Sequence, residues 1–418
     1  MAPPPWWPPR PRPPPPPPPH SHLTAASTLS LALLVALFCF PPAHARVRAA
    51  ARPAVVSAVR SGLPAVAALQ ARSTPALTTL FTAVSATVSV PFYATALPAV
   101  VWCADAQLGA RLALLLALAL YVGNAAKDLV CAPRPFDVGG GAGSRRRPIK
   151  LLTSVAGSED ESAAEHGFPS SHVANTVVMT LYALHYATRT GLLPGGWVGG
   201  ARCAVAVWAV AVGAARCYMG MHAPVDIAGG ALLGLLLASA WSAVDDAYFG
   251  WLAGGGARAA GLHTLATAVL LRLHPLPVAH TSSFEASTAF AGAGAGVAAG
   301  VASGGLALLS APASGALAAA RVAAGLAVVA AAKAASKRVA ALIVPLPYRA
   351  VPLAVRRLWQ PPLHSAPAHA RRAARTRIPV DAAGTPWDEI MTTRFFAYAG
   401  LGWAVADAAP RLFRWAGL

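Results

Sequence analysis

Residues 108–135 read LGARLALLLALALYVGNAAKDLVCAPRP, and this stretch decides the fold class. From Leu112 to Ala126 it carries no charge, as a helix inside a bilayer requires. It then ends on Lys127, Asp128 and Arg134, with Pro133 and Pro135 preventing the helix from running on through the pair. The same grammar, an apolar run closed by a short polar block, recurs along the chain. Further runs lie near 77–101, 173–187, 198–215, 225–244, 259–271, twice within 286–344, and at 395–409. The expected fold is all-α: a polytopic integral membrane helical bundle of about seven to nine spans. The bulk numbers agree, with 418 residues, 56% hydrophobic and 11% charged, and a mean hydropathy of +0.54.

The formal charge of +18 does not indicate nucleic acid, because the basic residues are scattered between apolar runs or collected in the tails. It indicates a membrane-surface role, with membrane lipids as partners. Cys39, Cys103, Cys131, Cys203 and Cys217 form no CxxC pair and read as small core residues.

Three polar blocks carry the chemistry. The first is Lys127 to Arg134-Pro135, the second Pro169-Ser170-Ser171-His172, and the third Arg216 followed by His222 and Asp226. A serine of the second block can cap the helix opening at about His172. Pro224, at a first helical position, starts the helix that holds Asp226 in its first turn. Counting crossings puts all three blocks on one membrane face.

That inventory of three cations, two histidines and one carboxylate fits phosphoryl transfer without a metal. A phosphoryl group in transfer spreads negative charge over its oxygens, so catalysis is largely positioning and electrostatic stabilisation. Lys127, Arg134 and Arg216 supply positive charge, and Ser170 and Ser171 add hydroxyls and N–H groups at a helix start. One histidine attacks phosphorus, the other protonates the leaving alkoxide, and Asp226 holds the nucleophilic imidazole in its tautomer. Singly, each piece has an ordinary reading: a snorkelling anchor, a helix cap, a loop histidine, a carboxylate on a helix dipole.

In this order the residues resemble the type 2 phosphatidic acid phosphatase superfamily, which shares its active site with vanadium haloperoxidases. The wording Lys127-Asp128-Leu129-Val130-Cys131-Ala132-Pro133-Arg134-Pro135, Glu165-His166-Gly167-Phe168-Pro169-Ser170-Ser171-His172 and Tyr218-Met219-Gly220-Met221-His222 is similar to the sphingosine-1-phosphate, or long-chain-base phosphate, phosphatases. The resemblance covers roughly 77–244. It implies a core of about five or six helices, a lipid phosphate monoester as substrate and no cofactor. His222 is then the nucleophile that forms a phosphohistidine, His172 the general acid and Asp226 the orienting carboxylate. Lys127, Arg134, Ser170, Ser171 and Arg216 bind the phosphate. Two departures stand out: Ala215 where many members have Ser before the Arg, and Ser171 in place of the commoner Gly. Related readings are a phosphatidic acid or polyisoprenyl diphosphate phosphatase, a vanadate-dependent haloperoxidase, and a non-catalytic membrane scaffold or transporter.

Outside that core, residues 1–72 are expected to form a disordered proline-rich tail with a targeting or signal segment. Leu31 to Phe40 has the length of an h-region, and Ala43-His44-Ala45 the form of a cleavage site. This favours endomembrane targeting, while the acid-free, Arg-bearing start also suits a plastid or mitochondrial transit peptide. Residues 73–245 form the catalytic core. Residues 246–418 are expected to add membrane helices and a basic loop, with no catalytic constellation of their own. The resemblance puts the active site in the lumen of the endoplasmic reticulum. Positive-inside counting of Arg145, Arg146, Arg147 and Lys150 pulls the same loop towards the cytosol, although Glu159, Asp160, Glu161 and Glu165 make it mixed.

Overall fold

The computed structural model describes residues 29–138 apart from 31, 34, 35 and 39, then 149–152, 165–279, 281–309, 312–359, 380 and 385–418. The proline tract, the Arg145 to Arg147 run and Glu159 to Glu161 lie outside the described residues. So does the distal part of the basic loop, with Arg371, Arg372, Arg375 and Arg377.

Helices account for the architecture; among the described residues there is no strand, only an isolated bridge between Val380 and Pro386. In chain order they are α1 (Pro41–Gln70), α2 (Pro75–Ala86), α3 (Val90–Ala99), α4 (Ala106–Val130), α5 (Ser171–Arg189), α6 (Val198–Tyr218), α7 (Pro224–Arg272), α8 (Ser283–Ala302) and α9 (Gly315–Ile343). Two short helices, α10 (Pro345–Ala350) and α11 (Leu353–Trp359), lead to α12 (Trp387–Trp403) and α13 (Ala409–Ala416). Among the described residues the runs expected to span are helical, the 77–101 run as two helices. Among the described residues four helices are long and apolar enough to cross a membrane: α4, α6, α7 and α9, with their short extensions. The pair α2–α3, bent by 51°, makes a fifth. That is fewer than the seven to nine expected from runs alone. The shortfall has a chemical cause: α5 carries Asn175, Thr176 and two tyrosines, α8 is built of small residues, and α12 carries Asp388, Glu389 and Arg394.

Local sequence sets the ends that matter. Asp105 caps α4, its carboxylate accepting from the Leu108 amide at 2.9 Å. The helix stops at Cys131, the one described non-glycine residue with positive φ (55°), just before Pro133. α7 is too long for one crossing, and at Gly256 (φ 51°, ψ −144°) it leaves helical geometry and the chain doubles back. Tyr248 Oη therefore meets His263 Nδ1 at 2.6 Å, and Tyr121 Oη donates to the Leu270 carbonyl at 2.7 Å. The two expected runs at 225–244 and 259–271 are thus two limbs of one bent helix.

The bundle has a charged cluster at each end. At one end Asp245 accepts from Arg111 and Tyr182, and Asp246 pairs with Arg111 and Arg189. Sixteen residues along α4, about 24 Å at 1.5 Å per residue, Lys127 marks the other end. That separation approaches the roughly 30 Å of a bilayer core.

One hydrophobic core runs from Phe38 through α4, α5, α7 and α8 to Ala406, so 73–245 and 246–418 pack as one body. α8 and α12 meet through glycine: a Cβ on Gly296 would run into the Ala399 carbonyl, and one on Gly402 into that of Ala293.

The N-terminal expectation needs correcting. Residues 41–70 form a 30-residue helix, not part of a tail, and the supposed cleavage site sits in its first turns. His44 is buried there, its Nε2 3.1 Å from the Leu37 and Phe38 carbonyls, while Phe38 packs edge-on against Tyr121. Arg48 donates to the carbonyls of Asp128 and Leu129, both at 2.9 Å, and Arg52 to that of Cys131 at 3.0 Å. These are the carbonyls a helix C-terminus leaves unpaired. α1 closes the end of α4 directly beside Lys127.

Candidate active site

The three polar blocks meet at one end of the bundle. Lys127 closes α4, Ser170 and Ser171 open α5, Arg216 closes α6, and Asp226 lies in the first turn of α7. The Ser170 amide donates to the Asp226 carbonyl at 3.0 Å, and the Gly167 amide to that of Ala132 at 2.9 Å, tying the second block to the other two. Close packing keeps them there. A Cβ at Gly229 would strike the Phe168 ring, and one at Gly230 the Ser170 carbonyl. Phe168-Pro169 is a cis peptide.

Lys127, Arg134, Ser170, Arg216, His222 and Asp226 are each at most 5% exposed, while Ser171 and His172 are half-buried. Charge at that depth in a membrane bundle is costly unless paired or functional. Glu165 provides the pairing: its Oε2 lies 2.8 Å from Lys127 Nζ and 3.0 Å from Arg134 Nη2, and its carbonyl accepts from Arg134 Nε at 3.2 Å. Burial would raise the pKa of this carboxyl, but Lys127 and Arg134 outweigh burial and bring it down to about 2. Arg216 donates to Ser85 Oγ of α2 at 2.9 Å.

Other polar atoms find no partner among the described residues. Arg134 Nη1, Arg216 Nε, Ser170 Oγ, Ser171 Oγ and Asp226 Oδ1 are buried without a hydrogen bond. Orphans of this kind normally have an explanation, and the four donors among them, two on guanidinium groups and two on serine hydroxyls, have the chemistry of an oxyanion site. His222 Nδ1 faces Asp226 Oδ2 at 3.5 Å, an electrostatic contact longer than a hydrogen bond, which leaves Nε2 on the opposite edge of the ring. The same Asp226 oxygen accepts the Ala223 amide at 2.8 Å, which fixes the carboxylate. Burial, followed by the charges of Arg216, Arg134 and Lys127, holds the His222 imidazole well below its ordinary pKa. Its neutral form, with a lone pair to donate, therefore prevails near pH 7. His172 stands among Arg216, Lys127, Glu165 and Arg134. Among the described residues no group of three or more His, Cys, Asp or Glu side chains is arranged to hold a metal ion.

All eight residues singled out in the sequence are in this cluster. Two participants were not singled out, Glu165 and Ser85. Glu165 was visible as an acid in a mixed loop and in the wording of the second block, with no role attached, and nothing in the sequence ties Ser85 to an arginine 131 positions later.

Comparison with known proteins identifies the family. The PAP2 superfamily is matched over residues 108–249, which hold every member of the cluster except Ser85. Lipid phosphate phosphatase delta of Arabidopsis thaliana is 30% identical over 395 residues, covering 89% of this chain and 91% of that protein. Sphingosine-1-phosphate phosphatase 2 of Homo sapiens is 32% identical over 158 residues (37% of this chain, 35% of that protein). Its Mus musculus counterpart is 30% identical over 159 residues (37% and 40%). No solved structure matches the chain. The chain belongs to the PAP2 superfamily, among its membrane lipid phosphate phosphatases, and is a phosphoric monoester hydrolase.

Proposed function

We propose that the chain hydrolyses a sphingoid-base 1-phosphate by way of a phosphohistidine on His222. The observation that carries this reading is the buried convergence of Lys127, Arg134, Arg216 and two unpartnered serine hydroxyls on the His222–Asp226 pair. The phosphate displaces Glu165 from the two cations it bridges and takes hydrogen bonds from Arg134, Arg216, Ser170 and Ser171. Nε2 of neutral His222 attacks phosphorus, the phosphorus–alkoxide bond breaks, and His172 gives its proton to the departing oxygen. Asp226 stabilises the charge that develops on the His222 ring. Water, giving a proton back to His172, then attacks the phosphohistidine, releasing inorganic phosphate and restoring both histidines. The relatives named for sphingosine-1-phosphate support the sphingoid substrate over phosphatidate or a polyisoprenyl diphosphate. The family resemblance supports a lumenal active site in the endoplasmic reticulum.

The experiment is a phosphoenzyme trap. Acid-labile, base-stable label from radioactive sphinganine 1-phosphate should appear on the purified wild-type protein and be absent from His222→Ala, which should also lose turnover. Label retained by His222→Ala would remove it as the nucleophile. Hydrolysis of phosphatidate but not of the sphingoid phosphate would overturn the substrate.

A further inference from the structure

Glu165 is the one member of the polar cluster that lines a cavity of about 630 Å³. The walls are mostly apolar, with Leu97 of α3, Leu116 of α4, Phe290 of α8 and Leu401 of α12 among them. Its size and lining suit a hydrocarbon chain. Two of its four walls come from the C-terminal third, to which the sequence attaches no role. A second acid on the wall, Glu285, is already paired with Arg394 at 2.9 Å. Glu165 differs: its partners are Lys127 and Arg134, the two cations a bound phosphate would take.

Pairing at Glu165 then becomes specific about the substrate. Its carboxylate bridges Lys127 at 2.8 Å and Arg134 at 3.0 Å. A phosphomonoester that takes those two cations leaves the half-buried Glu165 carboxylate, 30% exposed, without a counter-charge. A phosphate that carries an ammonium a few bonds away supplies that counter-charge. Its ammonium can replace Lys127 and Arg134 as the partner of Glu165, while its phosphate replaces Glu165 as the partner of Lys127 and Arg134.

We infer that Glu165 is the residue that selects an aminoalkyl phosphate, receiving the substrate ammonium while the hydrocarbon chain lies in the cavity walled by α3, α4, α8 and α12. This rests on the sphingoid-phosphate reading above and adds the group that would enforce it. It accounts for an acid placed in a phosphate site, where it would otherwise only compete with substrate. The exchange is one of partners only, with no bond made or broken at Glu165.

The test compares sphinganine 1-phosphate with 3-hydroxyoctadecyl phosphate, which lacks only the amine, using full-length protein in nanodiscs. The readout is the ratio of the two kcat/KM values. Glu165→Gln should lower the ratio about 10–100-fold, the range expected for losing a hydrogen-bonded charge partner. Glu165→Asp, which keeps the charge, should stay within about threefold of wild type. An unchanged ratio in Glu165→Gln, or equal losses on both substrates, overturns the assignment. A second measurement needs no variant: the wild-type ratio should fall as pH rises through the amine pKa, near 10, and a flat ratio overturns the assignment. A wild type that prefers the deaminated substrate overturns the sphingoid reading itself. A preference that persists in Glu165→Gln overturns only the role of Glu165.

Discussion

Ser85, in α2, accepts a 2.9 Å hydrogen bond from Arg216, at the end of α6. The position before that arginine is Ala215, which is fully buried and offers no hydroxyl. The partner that sequence neighbours would have supplied comes instead from another helix, and α2 becomes part of the polar cluster. Ser85→Ala should lower kcat/KM for a lipid phosphate about 10-fold, the usual cost of one hydrogen bond to a charged group. Ser85→Thr, which retains the hydroxyl, should retain most of the activity. Steady-state kinetics in detergent decide it, and equal loss in both variants would reduce Ser85 to a packing residue.

His172 stands at the start of α5 facing the same cations as His222. If it protonates the leaving oxygen, its removal matters most where that oxygen is basic. His172→Ala should cost on the order of 10²–10⁴-fold for an alkyl phosphate and far less for an aryl phosphate whose leaving group departs unprotonated. Comparing kcat/KM for the two substrates checks it, and matched losses would contradict the acid role.

Glu165 should leave a mark on acid stability. Its pKa of about 2 in the folded protein lies below the ordinary 4.5, so the folded state favours the ionised form. The stabilisation is complete above pH 4.5 and is lost as pH falls from there through about 2. Thermal unfolding of wild type and Glu165→Gln across that window should show their difference shrinking towards low pH. A constant difference would mean that the pairing with Lys127 and Arg134 does not govern the carboxyl.

Arg48 reaches from α1 to the open end of α4, donating to two of its last carbonyls. Arg48→Ala should destabilise the protein by about 1–3 kcal/mol, through two lost charge-assisted bonds at a helix terminus, and should lower activity by loosening Lys127. Arg48→Lys should recover only part, since a single ammonium cannot match the fork. The melting temperature in detergent, read beside kcat, checks both. Unaltered stability in Arg48→Ala would mean that α1 rests on the bundle without bracing it.

Much of this molecule is written locally. Apolar runs mark the helices because a bilayer leaves the backbone no other solution. The polar blocks are legible because charge is scarce and each block falls at a helix end. What escaped reading depends on tertiary approach. Glu165 acquires its role by lying within 3.0 Å of two cations distant in sequence, and Ser85 by the crossing of α2 over α6. α1 was concealed by Pro53 and Pro64, which sit inside it and ordinarily argue against a helix, and by a small-residue pattern that reads as a processing site. Gly256 was unremarkable among many glycines, yet the reversal of α7 turns on its positive φ.

The placement of the reaction centre at helix ends, rather than midway along them, has a consequence for what happens after catalysis. The two products belong to different phases. Inorganic phosphate belongs to water, whereas a dephosphorylated lipid keeps its hydrocarbon chain in the apolar phase and has lost the phosphate that held its head at the boundary. Each turnover thus sorts its products across an interface without a transport step, and dilution of phosphate into the aqueous compartment draws the hydrolysis forward.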